Sequence, residues 1–337
     1  MSRPGRNIAE SEGADPARIL NAINGHPEPI VFRGLCSHWP IVRAAAGGFD
    51  EAEQYLVSHY AGAPVTAFFK EAGPDDRIFY NQDYSGLNFR QFKTRLDEVL
   101  TQIRQASGQS SPPTVYMGSM ALDHCLPGIK TGNSLPTHDY SATVRIWIGN
   151  RSRVAAHHDV MDNIACVCAG TRRFMLFPPE QLANLYLGPL DVTPAGQQIS
   201  VVDPDQPDPA RFPRYADALE HSQWAELEPG DAIYIPSMWW HQVTALSDFN
   251  ILINHWWRDS PEYMGAPGDV LVHALLNMRN LPQRQRNAWR AMLDHYVFDP
   301  PRDALNHIPE NRRGILGGAD ETSARQWRML LRNKLNR

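Results

Sequence analysis

From Thr114 to Trp257 the chain is a succession of short β-type runs broken by Gly, Pro and Asp: TVYMGSM, ATVRIWIG, NIACVCAG, RRFMLF, DAIYIP, WWHQVTAL and FNILINHWW. Strands of that length with turn residues between them predict an antiparallel sandwich or barrel. A stretch rich in Pro and Asp, 178–228, interrupts the series. It is too long for a plain connector, so it is expected to fold over the barrel mouth as helix and loop and to contact substrate.

The flanks read differently. Residues 1–112 mix helix and strand. PIVF, PVTAFFK and RIFYN have strand character, and Gly34 with a Trp-Pro turn follows the first of them. FDEAEQYLVSHY is helical in its spacing, and LNFRQFKTRLDEVLTQI places Phe89, Phe92, Leu96 and Leu100 on one helical face. After Asp259 the strands stop. Val270–Tyr296 and Ser323–Leu335 have amphipathic helical spacing. Their apolar stripes must be buried, on the parent barrel or on a second copy, and a homodimer through these helices is expected. The domain reading is therefore an α/β flank over 1–112, a β core over 113–259 and a helical region over 260–337.

At 337 residues the chain is one large domain or two modest ones. Hydrophobic residues make up 42% and charged residues 20%, a globular balance. A net charge of −5 and a pI near 6.2 lack the basic footprint of a nucleic-acid binder, so no nucleic-acid partner is expected. The opening residues lack the apolar core of a signal peptide, and no stretch reaches the roughly 18 apolar residues of a spanning helix. The expectation is a cytoplasmic protein with no membrane partner. Cys36 and Cys125 stand alone; Cys166 and Cys168 share one strand face in an apolar run and read as buried thiols.

The chemistry concentrates in VAAHHDVMDN. His157 and Asp159 lie two apart on an extended segment and point the same way, so one metal ion can take both. His158 beside them has no carboxylate at the same spacing. A third ligand is expected from GDAIYIPSMWWHQV, where a Gly-Asp turn, a strand and a Pro-Ser break precede His241. Two imidazoles and a carboxylate on one face leave three coordination positions open, the facial triad of Fe(II) oxygenases. Two open positions suit a bidentate 2-oxo acid and one suits O₂. The other histidines, His38, His59, His124, His138, His221, His273 and His295, lack such context and read as structural or surface groups.

Taken together, HHDVMDNIACVCAGTRRFMLFPPEQLANLY and LEPGDAIYIPSMWWHQV…NILINHWW, with VFRGLCSHWP and NFRQF before them, resemble the cupin-like JmjC family of Fe(II)/2-oxoglutarate oxygenases over roughly residues 28–258. The likeness is strongest to the group around an asparaginyl hydroxylase, factor inhibiting HIF. It implies a mainly β fold with flanking helices: a double-stranded β-helix of the jelly-roll or cupin kind, with a C-terminal helical extension. It implies Fe(II) at His157, Asp159 and His241, with 2-oxoglutarate as co-substrate. It also places Tyr116, Asn163, Arg172 and Asn254 around that co-substrate. Arg172 stands where the family usually has Lys, and shares a strand face with Phe174 and Leu176. A cation among apolar neighbours calls for an anion, and Arg can take a carboxylate through two parallel hydrogen bonds. Arg173 is expected to face outward. Val154 replaces a family Thr or Ser and cannot donate. Gln198-Ile199 before Ser200 replaces the Arg-Gln pair that contacts the asparaginyl target, so asparagine hydroxylation is not implied. Trp147, Trp239, Trp240 and Trp256 are cavity-wall candidates, most of them better read as core. The expected activity is hydroxylation of a protein side chain. Small-molecule hydroxylation and demethylation by the same chemistry, a cupin that binds without turnover, and a Zn²⁺ hydrolase are the alternatives.

Overall fold

Eight strands carry the fold: β1 Thr143–Gly149, β2 Ser152–His158, β3 Asp162–Ala169, β4 Arg172–Phe177, β5 Gln223–Leu227, β6 Ala232–Ile235, β7 Trp240–Ala245 and β8 Asn250–Trp257. They deal into two antiparallel sheets, ordered β5-β4-β7-β2 and β6-β3-β8-β1. That order is the jelly-roll winding of a double-stranded β-helix. The coordinates are a computed structural model and describe residues 5–335 except 13–14, 16–18, 20–22, 24, 74, 137–140, 195 and 259.

The amino-terminal region widens both sheets. Arg6–Asn7 and Arg77–Ile78 pair in parallel with β5 and β2. Thr114–Ala121, Val65–Lys70 and Arg90–Thr94 add three antiparallel strands in turn beyond β1. The facing sides of the sheets meet in a core containing Ala165, Val167, Phe174, Leu176, Ile233 and Ile235. On the far side of the second sheet, Ile146, Ile164, Cys166, Cys168 and Ile253 join a larger core. The helices Pro40–Ala46, Phe49–Ser58 and Leu96–Ala106 supply its other half through Ile41, Leu56, Leu100 and Ile103. β3 is therefore covered on both faces, which is why NIACVCAG is an unbroken apolar run rather than an alternating one. All four cysteines are free and buried. Gly170 turns β3 into β4 at φ +68°, where a Cβ would meet the Phe249 carbonyl oxygen at 2.4 Å.

Several expectations need correction. The expected helix over NFRQF is instead a strand, Arg90–Thr94, followed by the helix Leu96–Ala106. Residues 90–94 pair with Val65–Lys70, so Phe92 lies on a sheet edge while Leu96 and Leu100 are buried on the helix. The 178–228 insert is shorter than read: its last residues, Gln223–Leu227, are β5 itself, with Ala225 and Leu227 buried and Glu226 exposed. The Trp39-Pro40 turn opens a helix, with Pro40 in its first turn, where a missing N–H is harmless. RIFYN pairs only through Arg77 and Ile78, with an isolated bridge at Tyr80.

Residues 1–258 form one compact unit and 259–337 another. Within the second, the expected helix Val270–Tyr296 is two helices, Pro267–Asn277 and Gln283–Leu293, separated by a short turn that closes on Pro282, the residue preceding the second helix. A third helix covers Glu321–Leu335. None of the helices among the described residues is long and apolar enough to cross a membrane.

Candidate metal centre

β2 and β7 are neighbours, and their register pairs His157 with His241. Asp159 follows directly on the end of β2, and its carbonyl accepts a hydrogen bond from the Met238 N–H at 2.8 Å. Met238 has φ +67°, a left-handed conformation unusual for a side chain of this size. This residue turns the chain after the Pro236-Ser237 break and ties the β7 approach to the Asp159 segment. The imidazole rings of His157 and His241 lie 4.3 Å apart, and His241 Nε2 is 3.7 Å from Asp159 Oδ2. One donor atom from each of the three residues falls within 4.8 Å of the others.

The tautomers suit metal binding. Nδ1 of His157 lies 2.9 Å from the Ala155 carbonyl, and Nδ1 of His241 lies 3.0 Å from that of Trp239. A carbonyl only accepts, so each Nδ1 carries a proton, which leaves Nε2 as the nitrogen through which each ring can take an ion. Burial pushes the His241 pKa down to about 4, with His157 adding to the effect and Asp159 opposing it, so the ring is neutral at pH 7. Two imidazoles and a carboxylate on one wall are the donor set of a facial Fe(II) site.

The triad opens into a cavity of about 370 Å³. Its lining also includes Tyr116, Asn163, Arg172 and Asn254, so one space gathers every residue proposed for metal or co-substrate. Arg172 is 2% exposed, and its Nε and Nη2 have no partner in the protein. Burial pulls its pKa down, and its interactions are with the Tyr116 hydroxyl and, more remotely, Cys168. Burial in turn pushes Tyr116 up to about 12, with Arg172 pulling the other way, so this hydroxyl stays protonated and able to donate. An unpaired guanidinium at such depth costs several kcal/mol unless an anion meets it. Asn254 donates to the Asn163 side-chain oxygen at 2.8 Å and leaves its own oxygen free in the cavity. Val154 lines the same space and offers no hydrogen bond.

Other expectations are settled by position. Arg173 faces outward and pairs with Glu226 at 2.7 Å. Of these four tryptophans, Trp147 and Trp256 wall the cavity; Trp239 packs in the core between the sheets without lining it, and Trp240 belongs to a separate apolar cluster. His158 turns away from the triad and packs on Trp240, 4.6 Å between centroids. His138 lies outside the described residues. Thr66, Phe68, Gln91 and Ser119 also line the cavity and were not anticipated. The alternation of VTAFFK carried a signal for Thr66 and Phe68, which share one strand face. Gln91 was hidden by the helical reading of its segment.

Comparison with known proteins agrees with this architecture. The chain is 32% identical over 317 residues to tRNA wybutosine-synthesizing protein 5 of Gallus gallus, covering 85% of this chain and 92% of that protein. It is 30% identical over 131 residues to lysine-specific demethylase JMJ31 of Arabidopsis thaliana, 37% of this chain and 23% of the demethylase. A third relative, HSPB1-associated protein 1 of Homo sapiens, is 30% identical over 167 residues, 48% of this chain and 33% of that protein. Two of these three matches thus span well under two thirds of the relative. Residues 16–263 match the cupin-like domain, and the chain belongs to that family.

Proposed function

We propose that this protein is an Fe(II)- and 2-oxoglutarate-dependent oxygenase that hydroxylates its substrate. The observation that carries the reading is Arg172: a buried guanidinium with two unpartnered nitrogens, in the same cavity as the two-histidine, one-carboxylate triad. A closed structural metal site has no use for that cation, whereas a dicarboxylate co-substrate does. His157, Asp159 and His241 would hold the ion, and Arg172 and Tyr116 would bind the distal carboxylate. When bound, Fe(II) with 2-oxoglutarate supplies oxidative decarboxylation, coupled to insertion of an oxygen atom from O₂ into a C–H bond. The protein orients the co-substrate and limits water in a cavity walled by Trp147, Trp256 and Phe68.

For the substrate, the leading reading is a protein side chain. A tRNA nucleoside is a second reading with one specific support, the likeness to a tRNA wybutosine-synthesizing protein along 92% of its length. The net charge of −5 weighs against a long polyanion as the ligand. Demethylation, suggested by the name of the plant relative, needs the same site. The C-terminal helices are proposed as a homodimer contact, supported by exposed apolar side chains such as Val272 and Leu276.

The test is succinate release from 2-oxoglutarate under Fe(II) and O₂, with peptide pools and with total tRNA. Asp159→Ala should lower release by about 100-fold or more, some 3 kcal/mol. Full activity in that variant, or in His241→Ala, would show that the triad is misassigned. Co-substrate binding without succinate in any pool would favour a cupin that binds and does not turn over.

A further inference from the structure

With Arg172 and Tyr116 given to 2-oxoglutarate, the cavity still holds hydrogen-bond donors without acceptors. The indole nitrogens of Trp147 and Trp256 are buried, line the cavity and have no partner. Their rings meet edge to face at 6.1 Å. Arg145 is on the same strand as Trp147 but outside the set of residues that line the cavity. It lies two residues before Trp147 on β1 and therefore on the same face, while Val144, Ile146 and Ile148 on the other face are core. In the register it sits directly opposite Asn254, itself a cavity residue. Its guanidinium is half-buried, and among the described residues it donates to the Ser119 carbonyl alone, at 3.3 Å. No carboxylate pairs with it among the described residues. Asp159 is the only acid lining the cavity among those residues, and it belongs to the triad.

We infer that the substrate oxidised here carries a carboxylate, bound by the Arg145 guanidinium with help from the Trp147 indole N–H. The inference rests on the oxygenase reading above and adds the substrate's chemical class to it. The planar guanidinium fork fits a carboxylate, and the indole N–H offers a further donor on the same sheet face. A phosphate dianion is the poorer fit, because only one cation stands on this strand pair. Lys70, on the face of Val65–Lys70 that Thr66 and Phe68 share and two strands away, already donates to the Asp75 carbonyl, and Lys93, a strand further on Arg90–Thr94, donates to Thr66 Oγ1 at 2.6 Å. The charge therefore matches a monoanion.

Calorimetry on the full chain, loaded with Mn(II) and saturating 2-oxoglutarate, tests this with three probes sharing one body: 3-phenylpropionate, 3-phenylpropionamide and 2-phenylethyl phosphate. The carboxylate should bind about tenfold or more tighter than the amide. Arg145→Met should bring the two within about twofold, and Arg145→Lys should restore part of the gap. The 2-oxoglutarate affinity of Arg145→Met should stay within about threefold of wild type. The inference falls if the carboxylate fails to bind at about 10 mM, if its preference over the amide is absent or survives in Arg145→Met, or if the phosphate binds tighter. It also falls if Arg145→Met loses 2-oxoglutarate as badly as Arg172→Leu, which would assign Arg145 to the co-substrate. Wild-type protein that takes up neither Mn(II) nor 2-oxoglutarate would end the oxygenase reading as well; uptake of both without head-group discrimination ends this inference alone.

Discussion

At the residue scale, the most informative side chains are buried polar groups that the protein leaves unsatisfied. Arg172 in the ligand-free protein is a charge without a counter-charge, so removing it should relieve a penalty rather than create one. Arg172→Leu is expected to lose 2-oxoglutarate affinity by about 30-fold or more, roughly 2 kcal/mol. Its ligand-free melting temperature should hold or rise. A melting temperature that drops sharply while affinity is kept would make Arg172 a structural group. His255 makes the contrasting case. Its Nε2 accepts from the Leu135 N–H at 3.1 Å, so the ring is needed as a neutral acceptor. Burial, with Lys130 adding to it, pushes its pKa down to about 3. The unfolded chain binds a proton at that histidine near pH 6.5, and the folded chain resists until about pH 3. Stability should therefore fall as pH drops through that window, by at most about 1.4 kcal/mol per pH unit from this group. His255→Gln keeps an acceptor without the titration. Its unfolding free energy, followed by urea melts between pH 4 and 6.5, should show a shallower slope than wild type; an identical slope would clear His255 of the effect.

At the element scale, the helix Leu96–Ala106 shows how a local signal and a tertiary one share a segment. Glu98 accepts from the Arg95 N–H and the Thr94 hydroxyl, which starts the helix, and Leu96, Val99, Leu100 and Ile103 bury its inner face. Leu100→Ala should cost about 2–5 kcal/mol, and Glu98→Ala about 1 kcal/mol, both measured by denaturant unfolding. Near-equal losses would mean that the cap, not the core contact, holds the element. The five residues Arg90–Thr94, which precede the helix cap and carry aromatic and β-branched members in alternation, form an edge strand. Helical spacing of Phe89 and Phe92 was true of the letters and misleading about the structure, because strand pairing with Val65–Lys70 outweighed it. That edge brings Gln91 to the cavity, a placement set by a pairing partner more than twenty residues earlier.

At the scale of the whole molecule, the proposed homodimer and the proposed chemistry are separable. Val272 and Leu276, 58% and 75% exposed, lie one turn apart on Pro267–Asn277. Val272→Asp with Leu276→Asp should shift the full chain from dimer to monomer in light scattering. The affinity for 2-oxoglutarate should stay within about twofold, since every cavity residue lies in the 1–258 unit. An unchanged mass would locate the contact elsewhere. Much of the core was legible in the letters: short strands between turn residues, a His-x-Asp on an extended segment, and a cation on an apolar strand face are local patterns, each dictated by side-chain alternation along a strand. What the letters could not contain is which strands become neighbours. The register that sets His241 opposite His157, and the one that sets Arg145 opposite Asn254, arise from jelly-roll winding between segments distant in the chain. Such pairings are decided by the joint burial of two sheets, a property no single segment possesses.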